Sequence, residues 1–201
     1  MFDAGLRPWL DPGLNRIGTA LAARGVTANA LTVTGFALGL GGTLAASGGA
    51  FTTALMLFLS GRLLDGLDGA VARATAQTDW GGYLDIVLDF AVYAAVPLAF
   101  AFYRPVENAL PAACLLAAIV VNGSAFLVFS TMADRRGLAT AAQGDKSLYF
   151  LAGLAEGTET IAVYAAFCLW PGWFGALAYG FAGLCVISGI ARIVMARRML
   201  R

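Results

Sequence analysis

The sequence predicts an all-α integral membrane protein, with six transmembrane helices behind an N-terminal amphipathic helix at the interface. Three observations predict it. Of the 201 residues 60% are hydrophobic and 12% charged, roughly half the charge of a soluble domain. Apolar runs of spanning length fall near 29–47, 51–72, 82–103, 109–132, 148–170 and 173–196. Finally, Arg7, Arg16, Arg24, Arg73, Arg135, Arg136, Lys146, Arg197, Arg198 and Arg201 all lie on one side of that six-span plan, against Arg104 on the other. The excess of Lys and Arg marks the cytoplasmic side, so both termini are expected there.

Composition excludes several functions. A chain this poor in charge is neither disordered nor a nucleic-acid binder nor a water-soluble enzyme. There is no histidine, so a Ser-His-Asp triad and a histidine metal site are impossible. Cys114, Cys168 and Cys185 sit in apolar runs without CxxC spacing and read as buried thiols.

The elements follow in order. Residues 1–28 form the interfacial segment and 29–201 the membrane domain. Asp3, Arg7, Asp11, Arg16 and Arg24 interrupt the first segment, so it does not read as a secretory signal. Asp11 suits a helix cap, Pro12 the first helical position and Gly25 the stop, with Leu14, Ile17 and Leu21 as the apolar stripe and Trp9 at the interface. Gly35, Gly39, Gly41 and Gly42 in the first span predict close helix packing. The second and third spans form a hairpin around Gln77, with Asp79 as a solvated turn residue. Asn122, Ser124, Thr131, Thr158 and Thr160 read as polar side chains bonded to nearby backbone, and Tyr103 and Trp170 as interface anchors.

The hairpin carries Asp65, Asp68, Asp85 and Asp89. Charged side chains inside a membrane are expensive and read as functional. Spacings of three and four residues put each pair on one helix face. Counting outward from Gln77, Asp65 lies level with Asp89 and Asp68 with Asp85. Four converging carboxylates must hold cations, hold protons or line an ion path. An all-oxygen set suits Mg²⁺, Mn²⁺ or Ca²⁺. Gly66, Gly69, Gly81 and Gly82 allow close approach of a ligand, and Arg73 can meet phosphate oxygens. Together these suit a pyrophosphate group.

The run Asp65-Gly-Leu-Asp68-Gly69-Ala-Val-Ala72-Arg73, then Gly81-Gly-Tyr-Leu-Asp85-Ile-Val-Leu-Asp89, resembles the DxxDGxxAR…GxxxDxxxD signature of the CDP-alcohol phosphotransferase family. Every fixed position is present, with a spacer of seven residues, one shorter than the family's usual. Val26-Thr27-Ala28-Asn29-Ala30-Leu31-Thr32 is similar to the family's TPNxLT stretch, with Ala28 in place of the common proline.

The resemblance implies a metal-dependent phosphatidyltransferase of phospholipid biosynthesis in a bacterial-type inner membrane. It would move the phosphatidyl group of CDP-diacylglycerol to a small polar acceptor alcohol and release CMP. Two Mg²⁺ or Mn²⁺ ions are implied, with Asp65, Asp68 and Asp85 as ligands and Asp89 as general base that also touches a metal. Asn29, Asp65, Asp68, Gly69, Ala72, Arg73 and Gly81 would form the CDP site. A homodimer is implied as well. By their place in the chain, Arg135, Arg136, Lys146 and Arg192 are candidates for binding the acceptor. Glu156 and Glu159 join them as intramembrane acids that bind acceptor hydroxyls or pair with Arg62 or Arg192. Glycerol 3-phosphate is the expected acceptor, with inositol phosphate second and a free amino-alcohol or serine third. A divalent-cation transporter is the competing class, against which the acids gather near one face and no inverted repeat is evident.

Overall fold

The computed structural model describes residues 2–136 and 155–200. Within them every regular element is helical. The helices are α1 (Phe2–Ala23), α2 (Ala28–Ser47), α3 (Phe51–Ala74), α4 (Asp79–Tyr103), α5 (Pro105–Arg135), α6 (Gly157–Leu169) and α7 (Phe174–Met199), with one 3₁₀ turn at Pro171–Trp173.

Among the described residues four stretches are long and apolar enough to cross a membrane: Ala28–Ser47, Asp79–Tyr103, Pro105–Ala133 and Pro171–Met199. Helix α3 has the length, but Arg62, Asp65, Asp68 and Arg73 load its C-terminal half. Helix α6 is 13 residues long, and the expected first part of its span, 148–154, lies outside the described residues.

The exterior is apolar: Leu44, Met56, Phe102, Val120 and Ile193 are exposed. Arg62, Asp68 and Arg192 are buried instead. A soluble protein does the reverse. Cys185 is buried as expected, but Cys114 lies exposed on this apolar surface.

Small residues bring the helices together. A Cβ on Gly35 would sit 3.0 Å from the Gly61 carbonyl, and one on Gly42 would sit 3.0 Å from the Ala54 carbonyl. Backbones of α2 and α3 therefore touch directly, as membrane helices do where glycine lines the seam. Gly39 admits Val92, so α2 packs on α4 also. Helix α5 packs between α4 and α7, and α6 against α3.

Pro97 lies inside α4 and lacks the N–H that would bond the Tyr93 carbonyl four residues back. Tyr164 of α6 supplies the missing donor: its hydroxyl bonds the Tyr93 carbonyl at 2.6 Å. An irregularity in one helix thus becomes a tie to another. Around it Phe100 stacks on Phe174 at a centroid distance of 4.7 Å, and Phe167 meets both edge-on at 5.6 and 4.8 Å.

Helix α1 differs from the expectation at its start. It runs from Phe2 with Pro8 and Pro12 inside it, so Asp11 does not cap it and Pro12 is not its first residue. The prolines are four residues apart, so their missing bonds fall on one face and the remaining ladder continues. The stop is as expected. Gly25 has φ of 80°, the Gly25 N–H bonds the Ala22 carbonyl at 2.9 Å, and the Val26 N–H bonds Leu21 at 3.1 Å. The helix lies on α3, where a Cβ on Gly18 would collide with Ala70. Trp9, Leu10 and Ile17 remain exposed on it.

Candidate functional site

The α3–α4 hairpin closes through residues 75–78, where the sequence puts the turn. Thr78 caps α4 by accepting from the Gly81 N–H at 3.1 Å. Asp79 is helical rather than in the turn, and it is exposed. An acid in the first helical turn faces the positive end of the helix dipole, which favours it there.

One carboxylate oxygen from each of Asp65, Asp68 and Asp85 lies within 4.8 Å of the others. Three hard oxygen donors this close, with no nitrogen or sulfur among them, fit a divalent cation such as Mg²⁺ or Mn²⁺. Asp68 is buried, and the hydroxyl of Thr32 on α2 donates to its Oδ2 at 2.5 Å. The fourth aspartate, Asp89, shares a buried arginine with Asp65. Asp89 accepts from Arg62 Nη1 at 2.5 Å, and the same nitrogen lies 3.6 Å from Asp65 Oδ2. This confirms the predicted level of Asp65 with Asp89, since one guanidinium reaches both.

Two cavities flank the aspartates. The smaller, about 230 Å³, is lined by Asn29, Thr32, Asp68, Gly69, Ala72, Gly81, Gly82 and Asp85, among others. A Cβ on Gly81 would meet Asn29 Oδ1 at 3.1 Å, so glycine keeps this cavity open. Gly66 does not share in it and instead faces Leu14 of α1. Arg73 stands beside Gly69, and its Nη2 donates to Asn15 of α1 at 2.9 Å. Helix α1 thereby holds the signature arginine in place.

The larger cavity, about 490 Å³, lies among α4, α5, α6 and α7. Its polar lining is Asp85, Asp89, Tyr93, Asn122, Glu156, Thr160 and Arg192. Arg192 Nη2 lies 3.5 Å from Glu156 Oε1, one of the two pairings foreseen for that acid. The guanidinium also sits 4.8 Å from the Phe126 ring centroid. Asp85 lines both cavities, so the three-carboxylate group stands between them.

Glu159, Arg135 and Arg136 do not line this cavity. Glu159 lies in the first turn of α6 and outside its lining. Arg135 and Arg136 are exposed at the end of α5, and Arg136 Nη1 donates to the Leu200 carbonyl at 2.6 Å. Lys146 lies outside the described residues.

The backbone-bonding reading of the small polar residues holds for four of them: Asn122 donates to Ala155, Ser124 to Val120, Thr131 to Leu127 and Thr160 to Glu156. Asn122 and Thr160 line the cavity as well. Sequence reasoning missed the site contacts of Thr32, Arg62, Asn15 and Tyr93. For Arg62 a signal existed, because a lone arginine amid an apolar run, one turn from Asp65, needs a carboxylate partner.

Comparison with known proteins agrees with this geometry. A family profile described as CDP-alcohol phosphatidyltransferase matches residues 25–196. The chain is 42% identical over 193 residues to the inner membrane protein YnjF of Escherichia coli (strain K12), covering 96% of this chain and 94% of that one. It is 40% identical over 89 residues to the archaetidylinositol phosphate synthase of Pyrococcus horikoshii, covering 42% of this chain and 45% of that one. The crystal structure of Mycobacterium tuberculosis phosphatidylinositol phosphate synthase (PgsA1) with CDP-DAG bound has a similar fold. Its TM-score is 0.61, with 20% identity, over 90% of this chain and 92% of that chain. The profile spans the helices that build both cavities, the apolar stretches and the inner-membrane relative mark a multi-pass membrane protein, and the chain belongs to the CDP-alcohol phosphatidyltransferase family.

Proposed function

We propose that this protein transfers the phosphatidyl group of CDP-diacylglycerol to a hydroxyl of a small polar alcohol and releases CMP. The observation that carries the reading is the three-carboxylate group standing between two cavities, with Asp85 on the wall of each. The smaller cavity takes the cytidine diphosphate, with Asn29, Gly69, Ala72, Arg73 and Gly81 around it. The larger takes the acceptor. The acceptor oxygen attacks the phosphorus that carries diacylglycerol, the bond from that phosphorus to the CMP oxygen breaks, and Asp89 takes the hydroxyl proton.

The metal centre is read as two Mg²⁺ or Mn²⁺ ions, for which Asp65, Asp68 and Asp85 are the ligand group. Bound there, such ions neutralise pyrophosphate charge and stabilise the departing CMP. Asp89 carries two roles from the resemblance, base and metal ligand. Its place on the wall of the larger cavity favours the first.

For the acceptor we propose a phosphorylated polyol, with Arg192 at its phosphate and Glu156 at its hydroxyls. Glycerol 3-phosphate is the first reading. Inositol phosphate is the second, favoured by the names of two of the similar proteins. The proposal includes six spans, α1 lying at the interface, cytoplasmic termini, a site opening to the cytoplasmic side and a homodimer. Exposed Trp9, Leu10 and Ile17 support the interfacial place of α1.

Purified full-length protein in nanodiscs, given labelled CDP-diacylglycerol, Mg²⁺ or Mn²⁺ and a panel of alcohols, tests the reading through CMP release and lipid mass spectrometry. CMP and a new phospholipid are expected with one acceptor. Metal flux into proteoliposomes without CMP from any acceptor would overturn it in favour of a transporter.

A further inference from the structure

We propose that Asn15 is a positioning residue that holds the Arg73 guanidinium at the rim of the smaller cavity, so that the diphosphate of a cytidine nucleotide meets an arginine already in place. The proposal rests on the reading of that cavity, with Arg73 beside it, as the CDP site. Asn15 belongs to neither motif that led to the family. It sits on α1, whose residues 14, 15 and 18 share one helix face. That face is seated on α3. Leu14 Cδ1 lies 3.5 Å from where a Cβ on Gly66 would stand. A Cβ on Gly18 would lie 2.6 Å from Ala70 Cβ and 2.9 Å from the Ala70 carbonyl carbon. Only glycine at position 18 lets α1 lie this close, and the close seat brings Asn15 to Arg73.

Long side chains on a helix lean toward its N-terminus, so Arg73 folds back over the turn that starts at Gly69. Its Nη1 lies 3.3 Å from where a Cβ on Gly69 would stand, and Gly69 is on the wall of the smaller cavity. Nε and Nη2 both donate to Asn15 Oδ1, at 3.3 and 2.9 Å. A guanidinium carries donors alone, so the amide must turn its oxygen toward it. One edge of Arg73 is thus taken up by α1, and the Nη1 end is left beside the cavity. Both side chains are exposed, where a polar pair adds little to stability. What the contact supplies is direction. An arginine free in water spreads over many rotamers, and ordering it on binding lowers affinity. Asn15 narrows that spread before the nucleotide arrives. Asp68 and Asp85 on the same wall repel a diphosphate, which makes a cation placed at the rim more effective.

The test uses full-length protein in nanodiscs and the variants N15L, N15Q, R73M and N15L/R73M. Two quantities are read: the Kd for CDP in the presence of Mn²⁺, by titration calorimetry, and steady-state CMP release over a range of CDP-diacylglycerol with the acceptor found in the panel. N15L should raise the Kd for CDP and the KM for CDP-diacylglycerol together by about fivefold, with kcat within about twofold of wild type. N15Q keeps an amide oxygen within reach and should recover most of the affinity. R73M should weaken CDP binding at least as much as N15L does, because it removes the charge itself. In the R73M background N15L should weaken CDP binding no further, since Asn15 acts through Arg73. A merely structural role for Asn15 would persist there. Wild-type CDP affinity in N15L beside a weakened R73M would overturn the positioning role alone. A further fivefold loss in the double variant would do the same. Wild-type CDP affinity in R73M would instead remove Arg73 from the CDP site, the reading on which the proposal stands.

Discussion

Replacing Thr32 by valine removes one hydroxyl and keeps the shape of the side chain. That hydroxyl lies 2.5 Å from Asp68 Oδ2, and both residues are buried at 7% and 5% exposure. The Ala28 carbonyl, at 3.1 Å, is the weaker acceptor available to it. A hydrogen bond to a charged group contributes about 1.5–3 kcal/mol. At about 1.4 kcal/mol per factor of ten, the ceiling on the effect is roughly tenfold to a hundredfold. Two consequences of losing the bond oppose each other. The carboxylate becomes a more basic ligand, which favours metal. It also loses its fixed orientation, which disfavours metal. Orientation dominates where outer partners of metal ligands have been removed, at a cost of roughly 10–100-fold in affinity. Thr32→Val should therefore weaken Mn²⁺ binding by about tenfold or more and raise the metal concentration needed for CMP release by the same factor. Thr32→Ser keeps the hydroxyl and should stay near wild type. The assay is a Mn²⁺ titration of all three proteins by paramagnetic resonance. If valine and threonine proteins titrate alike, Thr32 does not orient Asp68 for metal and the reasoning fails.

Tyr164→Phe leaves the Tyr93 carbonyl without the donor that replaces the Pro97 N–H, and should cost about 1–3 kcal/mol, seen as a lower melting temperature in detergent. Gly81→Val puts branched carbon beside Thr78 Oγ1 and Asn29 Oδ1, 3.0 and 3.1 Å from the first added atom, and should raise KM for CDP-diacylglycerol at least about tenfold while Mn²⁺ affinity holds. Glu156→Gln removes the charge that faces Arg192 at 3.5 Å, and should change KM for the acceptor by more than about fivefold with KM for CDP-diacylglycerol unmoved. Equal changes in both constants would place Glu156 outside the acceptor site.

Much of the hairpin was legible from residue spacing. Asp65 and Asp68 are three apart and Asp85 and Asp89 four apart, so helical periodicity alone aligns each pair on one face. A turn of four residues then fixes their relative depth. The glycines of α2 were readable for a similar reason, since repeated small residues in an apolar helix have few other uses. Helix α1 was harder. Prolines as a start signal compete with prolines tolerated inside, and local sequence does not decide between them.

Periodicity and composition are properties of one segment, and so they settled the membrane class, the helical elements and the aspartate hairpin. Partners are properties of pairs of segments, and they had to await packing. That Asp65 and Asp89 share one cation depends on Arg62, which joins α3 to α4 across 27 positions of sequence. Which acids meet Arg192 depends on how α6 lies against α7, where Glu156 reaches it. The cavity between α4, α5, α6 and α7 exists only once Gly123 lets Phe90 in and Tyr164 ties α6 to the carbonyl that Pro97 leaves open. A buried charge says that a partner is required, because desolvation is too costly otherwise; the identity of the partner is a matter of distance in three dimensions.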